Sequence, residues 1–179
     1  MQSPRSEFPT TWGRLTRLIT VSAVGLAFGV SAYILVLGAA QLSHARSVGT
    51  LMIVVAVADI LLMLKAAALA PGGYFVTPRE IVVRRILGSV RIPLSDVTDV
   101  RSGGDILKGV LWLGGSGGLF GFFGKFRRPG MGTFMAYATR LDRLVLIERG
   151  NATPIVLSPD EPERFVEEVS RVLSDGDPE

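Results

Sequence analysis

The chain has 179 residues, 48% of them hydrophobic, no cysteine, and a net charge of +3 from 19 Lys/Arg against 16 Asp/Glu. The missing cysteines exclude disulfides, thiolate metal sites and a cysteine nucleophile, and the apolar residues gather toward the front instead of spreading as a single soluble core would. Charge is segregated too: residues 1–159 hold 17 Lys/Arg and 8 Asp/Glu, and residues 160–179 hold 2 and 8, so a basic body ends in an acidic tail.

In chain order, an N-terminal segment, residues 1–17, carries Arg5, Arg14 and Arg17 and leads into 26 residues, 18–43, without Asp, Glu, Lys, Arg or His. At a helical rise of 1.5 Å per residue this run exceeds a hydrocarbon core of about 30 Å. A second apolar run, 47–70, follows a loop with His44 and Arg46, which argues for an uncleaved hairpin over 18–70 and against a signal peptide. Arg79, Arg84, Arg85 and Arg91 follow the second run and only Arg46 separates the two. That bias places the hairpin in the cytoplasmic membrane with both termini in the cytoplasm.

Asp59 and Lys65 are the polar candidates inside the hairpin. Asp59 reads either as a proton or ion relay or as a cross-link to Ser22, Ser31 or Tyr33, and the lack of a second acid in the runs favours the cross-link. Lys65 lies near the end of its run and can snorkel to the surface. Gly25 and Gly29 form a G-x-x-x-G step for close helix packing, either on the second helix or on a second copy of the chain.

Pro71-Gly72-Gly73 breaks the helical pattern, and the period switches to two. Strands are predicted over 74–77, 81–86, 90–93 and 94–100 as an antiparallel meander, then over 134–139, 144–148 and 154–157. Ser158 as N-cap, Pro159 at the first position and Glu161 closing a capping box predict a final helix. Phe165, Val169, Val172 and Leu173 give it one apolar face.

The stretches YFVTPREIVVRRILGSVRIPLSDVTDV (74–100) and GTFMAYATRLDRLVLIERGNATPIVLSPDEPERFVEEV (132–169) resemble membrane-anchored bacterial pleckstrin-homology domains. The resemblance implies a small β-barrel or sandwich of the pleckstrin-homology type with one C-terminal capping helix over 72–174, so the expected fold is the two-helix membrane hairpin read from the apolar runs, then this domain, then a disordered acidic tail, 175–179. It supplies no catalytic residues.

Residues 103–132 include 11 glycines, but the spacing fails a phosphate loop, since Lys125 is followed by Phe126 where Ser or Thr should meet Mg²⁺. A dinucleotide fingerprint from Gly115 would need glycine at 120, which is Phe. Residues 119–128 pair four aromatics with Lys125, Arg127 and Arg128. The aromatics read as core and the cations as a surface facing anionic lipid headgroups. Residues 106–113, with Trp112, read as a short amphipathic segment on the bilayer or as a loop over the barrel. His44 lacks a partner for metal, and Asp96 and Asp99 fit turn chemistry better than a catalytic pair.

With no catalytic, cofactor or metal site expected, and with the basic residues accounted for by the membrane and not by nucleic acid, the reading is a non-enzymatic scaffold. It presents its domain at the cytoplasmic face to a protein partner or a second copy, with anionic-lipid contact. The rival reading is a small transporter or proton-coupled membrane subunit that uses Asp59.

Overall fold

The computed structural model describes residues 5–41, 46–103, 106 and 109–175. Expectations for residues 1–4, for the loop with His44, for Lys108 and for the tail residues 176–179 lie outside these. The order of elements is β1 (Ser6–Phe8), α1 (Arg14–Gln41), α2 (Arg46–Leu69), β2 (Gly73–Val76), β3 (Glu80–Arg84), β4 (Val90–Pro93), β5 (Val97–Ser102), β6 (Leu111–Gly117), β7 (Phe122–Arg128), β8 (Gly132–Ala138), β9 (Val145–Arg149), β10 (Ile155–Leu157) and α3 (Pro162–Asp175). Leu94–Asp96, expected as strand, is a 3-10 turn between β4 and β5.

α1, with 28 residues, runs about 42 Å and α2, with 24, about 36 Å. Both are long and apolar enough to cross a membrane, and their outward Leu18, Leu26, Leu61 and Leu64 are exposed. α1 begins at Arg14, four residues ahead of the expected span, because nothing between Arg14 and Leu18 interrupts helical backbone bonding; Gly13 O accepts from Arg17 N–H. The helices pack through small residues: a Cβ on Gly38 would sit 3.1 Å from Gly49 O, and Ala56 is fully buried.

Sheet one is antiparallel, order β1-β2-β3-β4, and sheet two runs β5-β9-β10-β8-β7-β6, with only β10 and β8 parallel. The N-terminal segment, which shows no strand period in the sequence, thus supplies an edge strand, with Ser6 opposite Val76 and Phe8 opposite Tyr74. The two sheets close over one core. Phe8, Tyr74, Ile81, Val83 and Ile92 come from the first, Val145, Ile147, Ile155 and Leu157 from the second. A second cluster, Phe126, Phe134, Leu144, Leu146 and Val156 with Ile106 over it, lies on the outer face of sheet two. Strands β9 and β10 are therefore buried on both faces, which explains their unbroken apolar runs.

The final helix starts at Pro162 and not at Pro159. Ser158 is fully buried and its hydroxyl accepts from Thr139 N–H at 2.8 Å, so it is not available as an N-cap. Glu161 takes that place, its carbonyl accepting from Phe165 N–H, with Pro162 at the first helical position. Phe165 plugs the sandwich edge-on to Phe8 at 5.0 Å and Tyr74 at 6.3 Å. Phe165→Ala should cost about 3–5 kcal/mol, read as a lowered midpoint in chemical denaturation of the detergent-solubilised chain.

Candidate functional site

Between β1 and α1 the chain passes through Pro9–Gly13, and nearly every polar group there is bonded to the β domain. Thr10 Oγ1 donates to Ser158 O at 2.7 Å and lies 2.6 Å from Thr139 Oγ1. Thr139 Oγ1 donates to Thr11 O, and Gly13 N–H donates to Thr139 O. Asp160 completes the strap: its Oδ1 accepts from Thr11 N–H and Thr11 Oγ1, and its N–H donates to Pro9 O. Beneath lies Tyr74, whose hydroxyl donates to Tyr137 O at 2.6 Å and accepts from Ser158 N–H at 3.1 Å.

Arg140 ties this cluster to the next turn. Its guanidinium is bidentate on Asp142, at 2.8 and 2.6 Å, and reaches Asp160 at 3.2 Å. The hydrogen bond from Arg140 holds the Asp142 carboxyl below its usual value and raises that of the arginine. Burial pushes the Tyr74 phenol above its ordinary value of 10.0, against the hydrogen bonds with Ser158.

Next to the strap, the turn of the β6–β7 hairpin docks on the helices, Gly121 lying against Ala138 and Thr139. Gly115 and Gly124 face each other across it, and a Cβ on either would fall 2.1 and 2.3 Å from backbone carbonyl oxygens. This close approach accounts for part of the glycine cluster. The connecting turn reaches α1, where Thr20 Oγ1 accepts from Phe120 N–H at 2.8 Å. Phe120 has φ +58°, a left-handed conformation costly for an aromatic residue, and packs edge-on to Trp12 at 6.1 Å. β6 is the free edge of sheet two, with Leu111, Trp112 and Leu113 exposed. Ile86 and Leu87, in the β3–β4 turn, are also exposed, and Leu87 N–H donates to Ala68 O of α2.

The three cations proposed for lipid do not share one face. Lys125 and Arg127 are exposed on the side of β7 that carries Phe123, paired across to Met135 and Thr133. Arg128 projects with Phe126 to the outer face, where its Nη1 donates to Ile106 O at 3.2 Å. There it helps line an open hollow of about 700 Å³, together with Arg101, Glu148 and Arg149. Arg101 pairs with Glu148, and Arg149 donates to Thr153 O.

Residues 72–173, well over half of the chain, match the family model described as Bacterial PH domain. The chain belongs to the bacterial PH domain family. No curated protein and no solved structure matches it. The family model starts after the hairpin, yet in the structure β1 completes the first sheet of the PH domain.

Within the hairpin that interrupts the PH domain, Asp59 Oδ2 accepts from Ser31 Oγ at 2.8 Å, so of the three partners considered the structure selects Ser31. Lys65 is exposed on α2. Gly25 and Gly29 have nothing within 4 Å of an added Cβ and face away from α2; the intramolecular packing expected as one option for them falls instead to Gly38 and Gly49. The strap residues Thr10 and Thr11 escaped the sequence reading, and Thr139 entered it only as the end of a strand, because two threonines outside any repeat carry no periodic signal.

Tyr74→Phe removes the buried hydroxyl and leaves Tyr137 O and Ser158 N–H short of a partner, a loss of about 1–3 kcal/mol. The folded phenol titrates above the unfolded one, so its contribution is complete below about pH 10 and fades as pH rises beyond it. Thermal midpoints of the full chain from pH 7 to 11 should fall above pH 10, and more shallowly for Tyr74→Phe.

Proposed function

We propose that the protein is a non-enzymatic membrane-anchored binding module that holds its PH domain against the cytoplasmic face of the cell membrane, presenting it to protein partners or a second copy. The observation that carries this reading is that the hairpin is inserted between β1 and β2, neighbours in one sheet. An anchor fastened at both ends keeps the domain at a set height, which suits presentation of a surface. The Lys/Arg bias supports the cytoplasmic side.

Two surfaces support binding. The free edge at Leu111, Trp112 and Leu113, beside Lys125 and Arg127, suits the interface and anionic headgroups. The outer hollow, turned away from the core and rich in arginine, suits an acidic segment of a protein partner.

The transporter reading draws no support from the surroundings of Asp59. The 210 Å³ cavity between α1 and α2 is lined by apolar residues apart from Ser31 and Asp59, so among the described residues no second titratable group lines it. Asp59→Asn keeps an oxygen to accept from Ser31, and it should leave membrane insertion and proton flux across proteoliposomes unchanged. Abolished flux in a folded variant would restore the transporter.

The absence of cysteine makes topology directly measurable. In intact cells a membrane-impermeant maleimide should label His44→Cys, between the helices, and should miss Ser95→Cys until the membrane is opened. Labelling of Ser95→Cys from outside would overturn the reading.

A further inference from the structure

We infer that the cleft between α2 and the β6–β7 hairpin is a binding site for an anionic phospholipid of the surrounding bilayer, an inference that rests on the membrane-spanning reading of the hairpin. The cleft encloses about 380 Å³, with Leu62, Met63 and Leu69 on the helix side and Leu119 and Phe123 on the hairpin side. Its β6 wall is Gly115-Ser116-Gly117, and Ser116 turns its hydroxyl inward to Leu119 O at 2.6 Å. That wall therefore presents no free side-chain polar group, and the cleft is apolar over most of its lining.

Lys65 lines the same cleft. Among the described residues no carboxylate or carbonyl is paired with its ammonium, whereas Arg101 is paired with Glu148, Arg85 with Gly88 O and Arg140 with Asp142. Lying four residues before the end of α2, it sits about 6 Å along the axis from that end, which the membrane-spanning reading puts near the lipid headgroups. Lys125, two residues beyond Phe123 on the same face of β7, places a second exposed cation along this wall. An apolar slot with a cation at its rim matches an acyl chain with a phosphodiester headgroup.

The choice of lipid over peptide follows from where the slot lies. Leu61, Leu62 and Leu64 of α2 are exposed, so the helix wall is continuous with the surface that faces the acyl chains. A peptide there would carry unpaired backbone N–H and C=O groups into that region, whereas an acyl chain carries none. The lipid would fill the seam between anchor and PH domain and stiffen the attachment.

The test uses the full chain in nanodiscs of phosphatidylcholine with a minor share of phosphatidylglycerol, released into the gas phase and weighed with its retained lipids. Phosphatidylglycerol should be retained at one to two molecules per chain, well above its share. Lys65→Gln should lower that retention about fivefold, Lys65→Arg should keep it, and Ala66→Trp, which fills the cleft, should abolish it. Retention of phosphatidylglycerol in proportion to its share, or equal retention in wild type, Lys65→Gln and Ala66→Trp, would overturn the site. Alkaline carbonate extraction separates the two readings: protein that stays in the membrane pellet yet shows no selective retention defeats the lipid site alone, and protein released from the pellet defeats the anchor as well.

Discussion

The pairing of β1 with β2 constrains everything else in this molecule. A three-residue strand and its neighbour lie about 4.8 Å apart, and between them the chain travels the length of two long apolar helices. The helices must therefore leave the domain and return to it at nearly the same place. Whatever side of a bilayer receives the β domain also receives both ends of the hairpin. The strap Pro9–Gly13 makes the first attachment rigid, because its carbonyl, amide and hydroxyl groups are tied to Ser158, Thr139 and Asp160. A flexible linker would have left those groups to water.

That constraint gives the two faces of sheet two different neighbours. The inner face of β8, β9 and β10 meets sheet one and α3, which completes the core with Phe165 and Val169. Farther along the sheet, the inner side of the β6–β7 hairpin meets the end of α2, with Phe123 at the boundary. The outer face keeps its own apolar cluster and opens into the arginine-rich hollow. Glycines are what allow the hairpin to serve as the joint, since Gly115 and Gly124 bring its strands closer than side chains permit.

The two apolar runs, the β meander after Pro71 and the amphipathic face of the last helix were legible because each rests on a strong period. Turn residues that also form buried bonds were misread: Ser158 has the look of an N-cap, but Tyr74 and Thr139 claim it for the interior. β1 was hidden because three residues are too few to show alternation and their partner lies across the whole hairpin. β6 was hidden by its glycines and by a register shift between Trp112 and Gly114. The basic run at 125–128 looked like one patch in one dimension, and the pleat of β7 divides it between two faces.

The account depends most on the N-terminal segment being part of the PH domain, and hydrogen exchange of the full chain in nanodiscs tests that directly. The amides of Thr11 and Gly13 are donated to Asp160 and Thr139, so a peptide covering residues 5–13 should exchange as slowly as one covering β2 and β3. Exchange of that peptide at the rate of an unstructured chain, with β2 and β3 protected, would contradict the double fastening on which the rest is built.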